Sequence, residues 1–400
     1  MEMKEEIVNY VLNKDEILNA VQLQPAFTLL YKTCFKCAFI DENMDENILN
    51  IDVVIDYLHD KLHTGHWSKV PISTRNGYAA ASFIKALLLL KTIDEDSLSK
   101  SLKCLDFGIL LGGPLPENPD LLQKAATRIH QSLVTMKEKS SISPPALILP
   151  MEVLKKYSNI EGEIVFPESL PSLETFIKNY FNPEIPVVIT GAIQHWPASQ
   201  KWLYLPYILK IFGERTVPIE IGSQYSDEDW SQQLMTFEEF VNKFYLNTSD
   251  QIGYLAQHDL FYQVPELKKE FSIPDYCSVS RSDENDEDVA INAWIGPEGT
   301  VSSLHFDPKD NLLAQLYGIK QIILFSPKDS DNLYPHPSEM LFNTSQVDPT
   351  QPDLEKFPNF KKAKPYKCLL QHGDMLYIPR KWWHHVTSYD RSFSINFWWS

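Results

Sequence analysis

The stretch Ser302-Ser-Leu-His305-Phe-Asp307 sets an imidazole and a carboxylate two residues apart. In an extended strand such residues face the same way, so His305 and Asp307 can project together into an enclosed lumen. A third group of metal-binding type is His384, which closes the run Gly373-Asp-Met-Leu-Tyr-Ile-Pro-Arg-Lys-Trp-Trp-His384. There a turn, an apolar strand and a Pro-bounded loop lead to a histidine flanked by aromatic rings. Two imidazoles and one carboxylate form a facial triad that leaves one face of Fe(II) open to a bidentate cosubstrate and dioxygen. Taken alone, His-x-Asp also fits two residues making ordinary strand-end hydrogen bonds.

Lys320 changes that balance. It lies in Leu316-Tyr-Gly-Ile-Lys-Gln-Ile-Ile-Leu-Phe325, an otherwise apolar strand. A buried ammonium without an anion costs several kcal/mol, so a carboxylate is expected beside it. A dicarboxylate cosubstrate, 2-oxoglutarate, supplies one. Fe(II) and Lys320 then balance Asp307 and the two cosubstrate carboxylates. A surface lysine snorkelling out of its strand is the alternative.

These side chains need strands to carry them. Short β-rich runs occur at Pro186-Val-Val-Ile-Thr190, Val289-Ala-Ile-Asn-Ala-Trp294, Gln321-Ile-Ile-Leu-Phe325, Met375-Leu-Tyr-Ile-Pro379 and Ser392-Phe-Ser-Ile-Asn-Phe-Trp398. They predict a barrel or sandwich with Pro- and Gly-rich turns. Residues 1–136 instead carry helical periodicity, clearest in Ala79 to Lys91, where good helix formers dominate. Residues 137–160 begin polar and then contain Pro144 and Pro145, which reads as a linker. Residues 161–400 form the second domain, with its barrel core over about 250–400. The acidic run Asp283-Glu-Asn-Asp-Glu-Asp288 reads as a solvated loop.

Composition narrows the partners. The 400 residues can bury a sizeable core, and 53 acidic against 36 basic residues give a net charge of -17. That charge opposes a sequence-blind grip on nucleic acid and draws in a basic partner. Five scattered cysteines, Cys34, Cys37, Cys104, Cys277 and Cys368, read as reduced thiols of an intracellular protein. The Cys34/Cys37 pair has no second pair at zinc spacing and reads as structural. The first residues lack the apolar stretch of a signal peptide, and Ala86 to Leu90 is too short to span a bilayer. Composition leaves nucleus and cytoplasm both open.

With His-x-Asp, a strand lysine and Gly-Asp-x-x-x-x-Pro-x-x-Trp-x-His in order, residues 160–400 resemble a jumonji-C domain. Tyr254-Leu-Ala-Gln-His258, Asn292-Ala-Trp294, Asn343-Thr-Ser-Gln-Val-Asp348 and Phe397-Trp-Trp-Ser400 add to the likeness. The resemblance implies an α+β protein: a double-stranded β-helix, jelly-roll or cupin-like, preceded by a helical domain. It further implies a nuclear chromatin regulator using Fe(II), 2-oxoglutarate and O2. The family pattern assigns His305, Asp307 and His384 to iron, taking the histidine just after Trp383 rather than His385. On a strand His385 would in any case face away. Lys320 would pair the distal carboxylate of 2-oxoglutarate, with support from Tyr254, Ser302, Asn311 and Trp398.

Glu220, Tyr225, Trp230 and Trp294 are the substrate-facing candidates, because carboxylates beside aromatic rings suit a guanidinium. The expected reaction is hydroxylation of arginine side chains in a basic protein or peptide, histone tails included. Two alternatives stand beside it. Demethylation of histone methyl-lysine would call for a roomier aromatic cage, and clipping of methylated tails would need the metal to activate water.

Overall fold

The computed structural model describes residues 2–40, 44–137, 161–222, 230–246, 251–281, 288–338 and 341–400. Tyr225, residues 138–160 of the expected linker and residues 283–287 of the acidic loop lie outside them.

Among the described residues the first region has seven α-helices and a short 3-10 helix (Trp67–Lys69): α1 (Glu2–Asn9), α2 (Lys14–Asn19), α3 (Pro25–Ile40), α4 (Met44–His63), α5 (Ile72–Leu89), α6 (Glu95–Leu111) and α7 (Leu121–Met136). The run of alanines and leucines that predicted a helix becomes α5, which is buried from Gly77 to Ile84 and again at Ala86 to Leu88. Burial on all faces makes it the axis around which the others pack. Amphipathic α7 instead buries one stripe, Leu121, Leu122, Ala125, Ala126, Ile129 and Leu133. Asp94 starts α6 by accepting the Ser97 amide at 2.9 Å, one of the donors a helix start leaves unpaired. Cys34 packs in this core with its thiol toward Asn47.

The second region carries β1 (Glu163–Ile164), β2 (Pro167–Ser169), β3 (Val187–Thr190), β4 (Thr216–Ile221), β5 (Ser231–Thr236), β6 (Gly253–His258) and β7 (Ala290–Gly296). It continues through β8 (Val301–Phe306), β9 (Asp310–Tyr317), β10 (Lys320–Phe325), β11 (Tyr366–Leu370), β12 (Met375–Ile378), β13 (Trp383–Ser388) and β14 (Ser392–Trp399). They form a five-stranded sheet, β1-β11-β10-β13-β8, and a nine-stranded sheet, β2-β3-β12-β9-β14-β7-β6-β4-β5. This is the jelly-roll, cupin-like architecture, with its helical region ahead of it.

Strand alternation sorts the apolar residues into three layers. Leu313, Leu376 and Ile378 of the large sheet meet Ile322, Leu324, Leu370 and Val386 of the small one between the sheets. The outer face of the large sheet, including Leu312, Ala314, Ile395 and Phe397, packs on helices around Phe176, Phe212 and Phe240. The outer face of the small sheet, Leu304, Ile323, Phe325 and Trp383, is covered by Leu333, Phe357 and Phe360. Among the described residues no helix is long and apolar enough to cross a membrane.

Candidate metal centre and substrate cleft

His305 on β8 and His384 on β13 are direct cross-strand partners, with ring centroids 4.3 Å apart. Asp307 follows β8 by one residue, and its backbone carbonyl accepts the Lys381 amide at 2.7 Å, which ties the two ligand-bearing loops together. His384 Nε2 lies 3.5 Å from Asp307 Oδ2, and His305 Nε2 lies 4.0 Å from Asp307 Oδ1. Among the described residues these three are the group of His, Cys, Asp and Glu side chains whose ligand atoms converge, all within 4.8 Å of one another.

The arrangement fits a divalent metal on the chemistry of its donors. Each histidine turns Nδ1 to a carbonyl two residues earlier, His305 to Ser303 at 2.6 Å and His384 to Trp382 at 2.9 Å. A carbonyl can only accept, so Nδ1 carries the proton and Nε2 presents a bare lone pair to the centre. Burial, helped by the nearby His305, pushes His384 down to about 4, so its imidazole is neutral at physiological pH. Asp307 Oδ2 is buried without a hydrogen-bond partner among the described residues, a cost that a cation would remove.

His385 stands outside this group. It pairs with Ile323, whose side chain belongs to the outer layer of the small sheet, and burial holds it at about 4 as well.

Lys320 opens β10, is 2 % exposed, and donates to the Tyr254 hydroxyl at 3.3 Å. Burial alone pushes its ammonium down to about 7. A cation in this position with a neutral phenol as its hydrogen-bond partner fits the distal carboxylate of a dicarboxylate. Ser302 hydrogen-bonds to the same phenol, and burial keeps that phenol protonated. One cavity is lined by Tyr254, Trp294, Ser302, His305, Asp307, Asn311, Lys320, His384 and Trp398. The candidates for iron and cosubstrate, together with Trp294, therefore meet in a single space between the sheets.

Ser302 and His305 are three residues apart, so plain alternation would place them on opposite faces. A register shift between β13 and β8, spanning His384 and Val386, inserts an extra β8 residue and turns both inward. Gly296 on β7 leaves room for the Tyr254 ring, since a Cβ there would come within 2.7 Å of a ring carbon. Asn396 was not foreseen as a site residue. Its Oδ1 accepts the Trp294 indole at 2.8 Å and its Nδ2 donates to Asn311 at 3.3 Å, joining two walls of the cavity. The available signal was an amide inside the apolar run Ser392 to Trp398, two residues from Trp398 and so on its face.

Glu220 does not line this cavity. It sits on β4 directly opposite Tyr254 on β6, which puts the two side chains on one face of the sheet. Burial raises its carboxyl, a hydrogen bond from the Trp230 side chain opposes that, and no described cation pairs with it. Trp230 itself, just before β5, is 37 % exposed.

A family model described as a cupin-like domain matches residues 172–400. The chain is 41 % identical over 368 residues to Jumonji C domain-containing protein 5 of Drosophila melanogaster, covering 90 % of this chain and 88 % of that protein. It is 40 % identical over 358 residues to Lysine-specific demethylase 8 of Danio rerio, covering 87 % and 86 % of the two chains. With Lysine-specific demethylase JMJ30 of Arabidopsis thaliana it shares 37 % identity over 369 residues, covering 86 % and 84 %.

Proposed function

We propose that this chain, which belongs to the cupin-like jumonji-C oxygenases working with Fe(II), 2-oxoglutarate and dioxygen, hydroxylates arginine side chains of protein substrates. The observation that carries the arginine assignment is Glu220, a half-buried carboxylate that burial destabilises, set beside Trp230 and across from Tyr254. A substrate guanidinium would supply the missing cation, take a bidentate pair, and stack on the indole.

In this reading His305, Asp307 and His384 would hold the iron. Lys320 and Tyr254 hold the distal carboxylate of 2-oxoglutarate, with Ser302, Asn311 and Trp398 shaping the cavity around it. When bound, the metal, 2-oxoglutarate and dioxygen together would supply the oxidant: one oxygen atom of O2 would turn C–H into C–OH and the other would enter succinate, with carbon dioxide released. The protein's own part is to present one carbon of the substrate to that site and keep the surroundings dry. The surplus of 53 acidic over 36 basic residues favours approach of a basic polypeptide.

A second reading has support in the names of two relatives, which are lysine-specific demethylases. Mass spectrometry of arginyl and methyl-lysyl peptides after incubation with enzyme, Fe(II), 2-oxoglutarate and oxygen separates the possibilities. Gain of one oxygen on an arginyl peptide is the expected result. Loss of a methylene from a methyl-lysyl peptide, with the arginyl peptide untouched, would replace the proposal by demethylation, and a cut backbone would replace it by peptidase action.

A further inference from the structure

Asp106 belongs to helix α6 yet is spent entirely on the β region. It is fully buried, and its Oδ1 accepts Arg215 Nε at 2.9 Å, Arg215 Nη2 at 2.6 Å and Gln263 Nε2 at 2.9 Å. Its Oδ2 accepts the backbone amide of Thr216 at 2.7 Å. Arg215 is buried too and donates on to the Gln263 carbonyl at 3.1 Å. Gln263 donates to the Thr216 carbonyl at 2.8 Å and accepts from His258 Nε2 at 2.7 Å.

Thr216 opens β4 and His258 closes β6, the two strands that bear Glu220 and Tyr254. These strands pair at Glu220 with Tyr254 and at Ile221 with Gly253 only. Counting four residues back along β4 and four onward along β6 sets Thr216 against His258, but no ladder forms there. β6 is irregular between Leu255 and His258, with Gln257 at a φ of 47°. Side chains take over where the backbone ladder stops: Gln263 bridges Thr216 to His258, and Asp106 locks Gln263, Arg215 and the Thr216 amide into one cluster. One end of the strand pair is fixed by its own hydrogen bonds, the other by a carboxylate from a different region of the molecule.

We infer that Asp106 is a positioning residue for substrate recognition: it sets β4 against β6 and thereby sets Glu220 relative to Tyr254. The inference rests on the reading of Glu220 as the partner of a substrate guanidinium. It gives the helical region a part in the reaction, exerted through two strands and without contact with iron or cosubstrate. A displaced β4 would misplace the carboxylate, whereas the metal ligands and Lys320 sit on the other sheet and Tyr254 is held separately by the pairing of its neighbour Leu255 with Ile295 of β7.

The test uses the full chain with Asp106→Asn, comparing the Kd of an arginyl peptide under anaerobic conditions with the Kd of 2-oxoglutarate. Peptide Kd and KM should rise at least tenfold, with kcat and 2-oxoglutarate affinity within twofold of the parent. Should that variant not fold, the pair Asp106→Leu with Arg215→Met removes both buried charges, keeps the packed volume, and should show the same loss. A folded variant with parental peptide affinity overturns the inference. So does an equal loss of both affinities, or failure of both variants to fold, since each makes Asp106 a purely structural group. Glu220→Ala is the reference arm: if it leaves peptide affinity intact, the guanidinium reading fails, whereas if it alone loses affinity, only the role of Asp106 fails.

Discussion

His305 and His384 face each other across one strand pair, and each is oriented by a carbonyl two residues before it in the chain. Glu220 is placed quite differently. It pairs with Gln232 on β5 and Tyr254 on β6, its hydrogen bond comes from Trp230 beyond residues 223–229, and its strand is anchored by Asp106 from α6. Each imidazole of the metal centre is thus turned by a carbonyl of its own chain segment, whereas Glu220, the proposed substrate carboxylate, is set by side chains and strands from other elements. Local assembly favours a fixed chemical core; remote assembly leaves the recognition surface open to adjustment by packing elsewhere.

The largest effects should fall on the local half. His305→Ala, Asp307→Ala or His384→Ala should each abolish iron-dependent succinate formation while cooperative thermal unfolding persists. Near-parental turnover in any one of them would dismantle the triad. Next comes the remote half, where Glu220→Ala should cost ~2 to 5 kcal/mol of productive binding to an arginyl peptide. That is a rise in KM of roughly thirtyfold or more. Glu220→Gln keeps the shape and removes the charge, so an intermediate loss is expected; parental KM in both variants would erase the contrast between the halves.

Lys320 gives a smaller, pH-dependent effect. Burial holds its ammonium down to about 7, so above that pH the neutral amine dominates in the protein without cosubstrate. Binding a carboxylate favours the charged form, so 2-oxoglutarate binding takes up a proton and weakens by up to about tenfold per pH unit above 7. Calorimetry in buffers of different ionisation enthalpy reads the proton directly, and a flat affinity from pH 7 to 9 would contradict it. The smallest effect belongs to His385→Ala, which should leave iron affinity close to the parent because that ring lies in the outer layer of the small sheet. A loss equal to that of His384→Ala would move the ligand by one residue.

The same contrast explains what could be read from the sequence. His305, Asp307 and the strand lysine were legible because their spacing and their apolar setting encode their direction. Helix α5 followed from helical periodicity, and strands β3, β7, β10, β12 and β14 from their β-rich runs, whereas β11 and β13 were not singled out. Ser302 was legible through resemblance alone, since the β8 irregularity reverses the face that alternation assigns to it. Asp106 gave no signal: an aspartate in the amphipathic helix Glu95–Leu111 looks like a solvated residue until Arg215 is brought to it. The link from Glu220 to Tyr254 was hidden for the same reason, because pairing between β4 and β6 is a property of the folded sheet.

Strand β14 lies in the middle of the nine-stranded sheet, hydrogen-bonded to β9 on one side and β7 on the other. It is also later in the chain than every other described strand. During synthesis the large sheet therefore waits in two halves, each with an unpaired edge, until residues 392–399 leave the ribosome and join them. Such late, long-range closure makes folding slow and exposes the edges to aggregation in the interval. Because β14 carries Asn396 and Trp398, the cavity wall is the last part to be completed, and stop codons shortly before residue 392 should yield insoluble protein rather than a partly active enzyme.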